Sequence, residues 1–298
     1  MKRIAFCVIA LIFISLSGCE YYSYGLDEFF YRSNTVDKRA ENLLDLGNVS
    51  VDSSNPYEVL VLTDVHFGGE DHGKAGSRTD DKFFGWLEKT YGTKDDPKGI
   101  PPLPKFAICL GDVAEHGLEK EFVRYEAFTA KLESVFGIKT YNVIGNHDLY
   151  NAGWDNYEKH CYPYTSFYKF RTEKFTWYFI DSASCSLGNS QLMTFKRDME
   201  YREAGRKKLV FTHVPAYAGG LFYFVMQNTT ERNKFISYCA ENRVLALVCG
   251  HTHKEITSNI GFTEYNLPGY LEKRALGILT VNEGNQTAYM RTVYYLED

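Results

Sequence analysis

From Tyr57 to His253 short apolar runs alternate with stretches of helical periodicity, and this alternation restricts the possible folds more than any other feature. "EVLVLTDVH", "FAICLGD", the run ending in "NVIGNHD", "TWYFIDSA", "KKLVFTHVP" and "VLALVCGHTH" read as strands. Between the first two lies "TDDKFFGWLEKTYG", with Phe83, Trp86, Leu87 and Tyr91 near one helical face. A longer helix is expected from Leu118 to Phe136, where Phe122, Tyr125, Phe128, Leu132 and Val135 recur at helical spacing and Gly137 supplies the stop. Further helices are expected around Gln191 to Glu203 and from Thr230 to Arg243. The pattern implies one large α/β domain. The alternation stops in the C-terminal part, where "ALGILTVNEGNQTAYMRTVYYLE" reads as two β-strands around a turn at Glu283-Gly284-Asn285. There is no repeat, low-complexity tract or second domain.

The N-terminus is of another kind. "MKRIAFCVIALIFISLSG", residues 1–18, has a basic start, a short apolar stretch and small residues before Cys19, as a signal peptide does. "LSGC" resembles the bacterial lipobox, which implies a lipoprotein of the bacterial cell envelope, extracytoplasmic and held to the membrane through a lipid on Cys19. The other reading is a plain secretory signal in which Cys19 is incidental. Two or more acyl chains, each contributing about 0.8 kcal/mol per buried methylene, are enough for stable anchoring. Residues 19–57 then read as the anchor and a docking segment. Six aromatics between Tyr21 and Tyr31 are too many for a solvated linker, and "VDKRAENLLDLG" reads as a short helix ended by Gly47. The domain proper is expected over residues 58–298.

Charge and cysteine content narrow the function. Without Lys2 and Arg3 the chain has 31 basic against 38 acidic residues, a net charge of −7. An acidic chain with no basic run lacks the footprint of a protein that holds long nucleic acids, so no stable nucleic-acid partner is expected. Beyond Cys19, Cys109 and Cys249 sit in apolar runs and read as buried hydrophobes. Cys161, Cys185 and Cys239 leave room for one disulfide, and their odd number leaves at least one free thiol.

The polar residues at the strand ends carry the chemistry. Asp64 and His66 close the first strand, Asp112 the second, and Asn146, His147 and Asp148 the third; His213 follows "LVFT", and His251 and His253 close "LALVCGHTH". In open α/β sheets ligands bind beyond the carboxyl ends of the strands, and here five strands of one sheet are expected to deliver Asp, Asn or His to the same edge. Any one of these residues alone reads as an ordinary loop residue; the set does not. Imidazole nitrogen and hard oxygen without cysteine sulfur suit Mn, Fe, Zn or Ni. Seven donors exceed the needs of one ion and fit two ions that share a carboxylate. Two such ions, about 3.5 to 4 Å apart, can hold a hydroxide between them and clamp a phosphoryl group.

Asp64-x-His66, Gly111-Asp112, Gly145-Asn146-His147-Asp148, His213 and Gly250-His251-Thr252-His253 resemble, in order, the five blocks of the calcineurin-like metallophosphoesterases, over about residues 58 to 254. The resemblance implies a four-layer α-β-β-α sandwich, two packed mixed sheets flanked by helices, and hydrolysis of a phosphomonoester or phosphodiester with two divalent metal ions. It implies Asp64, His66 and His253 on one metal, Asn146, His213 and His251 on the other, Asp112 bridging both, and His147 assisting the leaving group. The alternative from another class is a non-catalytic surface lipoprotein using the same fold as a binding module; relatives of that kind normally lose ligands, and here all seven are present.

One stretch departs from the resemblance. In "GDVAEHG", Glu115 and His116 stand where the phosphoprotein phosphatase branch has Asp and Arg. Glu115 either pairs with His147 or merely opens the next helix; His116 either contacts phosphate or does the same. A Glu at position 115, where purple acid phosphatases carry a Tyr, argues against a purple enzyme. The loop "FGGEDHGKAGSR" could reach the site with His72, Lys74 or Arg78, and equally reads as a solvated surface loop.

Overall fold

Strands buried on both faces form the centre of the molecule, which is why their sequences are continuous apolar runs without alternation. In β2 (Tyr57–Leu62) Val59 and Val61 face one side and Leu60 and Leu62 the other, all of them fully buried. The structure, a computed structural model, describes residues 32–72, 78–151 and 153–296. The signal peptide, Cys19 and the aromatic segment up to Tyr31 lie outside the described residues.

Two sheets pack face to face. One has the order β12-β11-β2-β3-β4, with β3 (Ala107–Cys109), β4 (Thr140–Asn142), β11 (Ala275–Asn282) and β12 (Thr287–Tyr294). The other has the order β1-β5-β6-β7-β8-β10-β9. Its members are β1 (Leu44–Asn48), β5 (Tyr168–Arg171), β6 (Phe175–Phe179), β7 (Lys207–Phe211), β8 (Val244–Cys249), β9 (Ile256–Asn259) and β10 (Thr263–Asn266). Both sheets mix parallel and antiparallel pairs. Between them Val59, Val61, Phe106 and Ile108 meet Phe170, Trp177, Phe211 and Val248, with Phe106 edge-on to Trp177 at 5.2 Å between ring centroids.

Helices cover the outer faces. On the five-stranded sheet, α2 (Asp80–Tyr91) and α3 (Glu119–Phe136) bury Phe83, Leu87, Phe122, Tyr125 and Leu132 against Leu60, Leu62 and Cys109. α3 ends at Gly137, whose φ of 72° and left-handed cap conformation favour glycine. α4 (Gly153–His160) packs beside α3. On the seven-stranded sheet, α5 (Asn189–Arg197) and α6 (Thr229–Glu241) bury Leu192, Phe195, Phe235 and Cys239 against Tyr178, Val210 and Leu247.

Four expectations change. The strands that carry the polar residues belong to two sheets, not one: β2, β3 and β4 lie in the first, β7 and β8 in the second. Periodicity cannot tell a long doubly wound sheet from two stacked ones, since both bury each strand on two faces. The helix expected to end at Gly47 is instead α1 (Arg32–Arg39) followed by strand β1, paired parallel with β5. Asp45 receives Arg171 at 2.8 Å, and Gly47, with φ of 78°, lies where the register slips between Asp45 and Asn48. A tertiary partner thus turns an apparent helix stop into a bulge. The segment read as a docked tether therefore contributes an edge strand to the core sheet. Finally, Cys161, Cys185 and Cys239 are all free thiols, the first and last separately buried.

Candidate metal centre

All the strand-end residues emerge at one rim of the sandwich. Five of the seven expected ligands, Asp64, His66, Asp112, His251 and His253, have φ between 48° and 66°. Non-glycine residues rarely adopt this left-handed region, and clusters of them mark functional sites. These left-handed turns follow β2, β3 and β8, whereas Asn146, after β4, has an ordinary φ of −74°.

Close backbone approach joins the turns. A Cβ at Gly145 would run into the backbone nitrogen of Asp112, and one at Gly250 into the Thr63 hydroxyl. The first contact brings the β3 and β4 turns together, so that His147 N donates to Asp112 Oδ1 at 2.8 Å. The second joins the β2 and β8 turns, and with them the two sheets. Asp148, fully buried, ties the same loops from below: its two oxygens accept from Ala114 N and Gly145 N, each at 2.9 Å.

The side chains converge as two groups around Asp112. His213 Nε2 lies 3.2 Å from Asp112 Oδ2 and 3.1 Å from Asn146 Oδ1, and His251 Nδ1 lies 3.3 Å from His213 Nε2. On the other side, His66 Nε2 is 3.9 Å from both Asp64 Oδ1 and Asp112 Oδ2, and His253 Nε2 is 3.1 Å from Asp64 Oδ1. Asp64, His66 and His253 bring donor atoms within 4.8 Å of one another, as do Asp112, His213 and His251, and as do His66, Asp112 and His147.

Two observations fit this donor set to metal ions. His66 Nε2 is buried and makes no hydrogen bond, and Asp64 Oδ1, equally buried, has the His253 imidazole at 3.1 Å but no aligned hydrogen bond, an arrangement that is unfavourable unless another partner serves them. The donors are imidazole nitrogens and hard oxygens, a set suited to divalent first-row ions.

Electrostatics reinforce the fit. Burial pushes the Asp64 and Asp112 carboxyls up, but His253 and His213 beside Asp64, and His213 and His147 beside Asp112, outweigh it and hold both below the usual carboxylate range. Burial pulls His213 down, and Asp112 more than offsets it, leaving His213 at about 9. Asp64 raises His253 to about 10 against the effect of burial. His251, pushed down by burial and then by His213, stands at about 4.

The residues of the departing stretch take unexpected places. Glu115 turns its carboxylate chiefly to His66: Oε2 stands 2.8 Å from His66 Nδ1, and 3.9 Å from His147 Nδ1 as a longer charge contact. Its backbone carbonyl holds His147, accepting from Nδ1 at 2.8 Å. His116 is buried, with its Nδ1 2.9 Å from Glu121 Oε1 at the start of α3. Arg78 packs behind the site, donating to the Val65 carbonyl at 2.8 Å and pairing with Asp80 at 2.7 Å. Lys74 and the side chain of His72 lie outside the described residues.

Sequence reasoning missed three supports. Thr63 donates to Asp64 Oδ2 at 2.6 Å, and Asp148 braces the loops as above. Glu272 lies on the short helix α7 (Tyr270–Lys273), with Oε2 at 2.7 Å from His253 Nδ1. Thr63 adjoins the first motif, and Asp148 belongs to the third, where it carried no assigned role. Glu272 stands 19 residues beyond His253, and nothing local marks it.

The sequence model described as calcineurin-like phosphoesterase matches residues 57–255, more than half of the chain. The chain belongs to that family. Phosphoesterases of this family use a dinuclear divalent metal centre, and the chain is accordingly a metal-dependent phosphoric ester hydrolase. Similar solved structures agree in fold. A dimetal phosphatase from Danio rerio aligns at a TM-score of 0.54 with 14% identity, over 79% of this chain and 99% of that one. A candidate 5′-nucleotidase from Staphylococcus aureus aligns at 0.51 with 11% identity, over 82% of this phosphoesterase and 55% of its own chain. The phosphoesterase thus spans about half the length of the second. Among curated proteins none matches.

Proposed function

We propose that the chain is an extracytoplasmic, lipid-anchored phosphoesterase in which Asp64, His66 and His253 hold one ion, Asn146, His213 and His251 hold the other, and Asp112 bridges them. The position of Asp112 carries this reading: its Oδ2 faces His213 on one side and His66 on the other, so one carboxylate belongs to both groups. Bound ions would supply the electrophilic charge and the activated water that phosphoester hydrolysis needs.

His147 has a separate task. A carbonyl oxygen can only accept, so the contact with Glu115 O makes Nδ1 the donor and leaves Nε2 to face the substrate. In its cationic form the ring can pass the Nε2 proton to the leaving oxygen as the phosphorus–oxygen bond breaks, giving a neutral alcohol. The backbone carbonyl fixes the orientation of the ring. Phosphomonoesters and phosphodiesters both fit this chemistry.

Metal analysis of the purified domain, with a panel of p-nitrophenyl mono- and diesters, tests the assignment. Asp112→Asn is expected to lower occupancy at both positions and abolish turnover. Two ions per chain and near-normal activity in that variant would refute the bridge. The anchor rests on the signal-like residues 1–18 and on "LSGC"; no helix among the described residues is long and apolar enough to cross a membrane. Cys19→Ala should release the protein into the soluble fraction or block its processing. A mature N-terminus elsewhere than Cys19 would refute the anchor.

A further inference from the structure

The imidazoles of the two ligand groups are held from behind by different chemistry. His213 turns its Nδ1 to a neutral backbone carbonyl, Leu110 O, at 2.8 Å. In the other group, His253 Nδ1 is hydrogen-bonded to the Glu272 carboxylate at 2.7 Å. His66 Nδ1 has the Glu115 carboxylate at 2.8 Å, as a charge contact off the line of the ring N–H. A carboxylate behind a ligating histidine fixes its tautomer and raises the basicity of the nitrogen that faces the ion.

The formal charges point the same way. Beyond the shared Asp112, the group of Asp64, His66 and His253 has one carboxylate of its own and two more behind its imidazoles. The group of Asn146, His213 and His251 has no carboxylate of its own. Backbone hydrogen bonds hold Glu272 in place: Tyr270 N donates to Thr63 O at 2.8 Å and Leu271 N to Asp64 O at 3.3 Å, hooking α7 onto the turn that carries Asp64.

We propose that Glu272 is a positioning residue for His253, with Glu115 in the same role for His66, and that together they make the Asp64, His66 and His253 position the tighter of the two, so that it loads first. This rests on the two-ion reading above. Lys273 shares the Glu272 carboxylate at 2.6 Å and the group reaches solvent, so Glu272 tunes the position and does not create it.

The test is a Mn2+ titration of the metal-free full chain, with free ion read from its paramagnetic resonance signal. The wild type should bind two ions in separable steps. Glu272→Ala should weaken the tighter step about 10- to 100-fold and leave the weaker one nearly unchanged. Glu272→Gln, which keeps the shape and loses the charge, should shift the same step by less. It gives the same reading if the alanine variant does not fold, as judged by circular dichroism. In a His253→Ala background, Glu272→Ala should have no further effect. Equal weakening of both steps, or no change in either, overturns the role of Glu272 while leaving two-ion binding intact. A wild type that binds fewer than two ions overturns the two-ion reading and this inference with it.

Discussion

At the scale of single residues, "GNHD" divides its labour among neighbours. Asn146 faces His213, His147 stands edge-on to His66 with its Nδ1 pinned, and Asp148 turns into the core. His147→Ala should therefore keep both ions yet lose about 10²- to 10⁴-fold in rate, the usual contribution of a general acid. The loss should be smallest for esters of p-nitrophenol, whose leaving oxygen needs little protonation. Loss of metal, or an equal drop on every substrate, would contradict the role. Because the Glu115 carboxylate stands against His66, Glu115→Gln should change metal affinity, read by titration of the metal-free chain. Protonation states give a second residue-scale expectation. With pKa values at about 9 and about 10, His213 and His253 both carry at pH 7 a proton that an incoming ion must displace, whereas His251, at about 4, is already neutral. Affinity should thus rise as pH rises toward those values and fall as pH is lowered. Calorimetry at pH 7 in buffers of different ionisation enthalpy should detect about two protons released from these histidines on loading. No release would show that these imidazoles are neutral before binding.

At the scale of elements, the site depends on turns being strapped to one another. Asp148 is the strap between the loops after β3 and β4, and both groups that face it are N–H donors. Asp148→Asn keeps the shape but sets an amide NH2 against one of them. The buried donor left without an acceptor should cost about 1–3 kcal/mol in urea unfolding, with weaker metal binding through the displaced Asn146 loop. An unchanged midpoint and unchanged metal content would mean the strap is dispensable. The same dependence explains which parts of the fold were legible. β2, β3, β4, β7 and β8 were readable because burial on both faces demands unbroken apolar runs, and α3 because its buried positions recur at helical spacing. β1 was not, since its strand state is decided by β5 and by Arg171, more than a hundred residues away. β9 and β10, "ITSN" and "TEYN", are polar and short, and exist as a hairpin only because β8 offers an edge to pair with.

At the scale of the whole molecule, the candidate centre is a clasp between two sheets. Asp64, His66, Asp112 and Asn146 follow strands of the five-stranded sheet; His213, His251 and His253 follow strands of the seven-stranded one. Ions bound across that seam bind the folded state alone. Chelation should therefore lower the thermal midpoint, and metal at about 100 times its dissociation constant should restore about 2.7 kcal/mol for each site filled. A midpoint indifferent to chelation would mean that no ion binds preferentially to the folded state. By itself the sequence determined the kind of fold, the order of the blocks that carry the candidate ligands, and the chemistry of that donor set. Those properties are local: apolar runs make buried strands, and the residues that end them must lie at strand ends. Only the tertiary structure decided that the blocks come from two sheets, that His147 leans on a backbone carbonyl, that Glu115 turns to His66, and that Glu272 stands behind His253. Each of these is a contact between elements distant in the chain, and its partner is selected by packing of the sandwich and the left-handed turns at its rim, about which residue type and spacing carry no information.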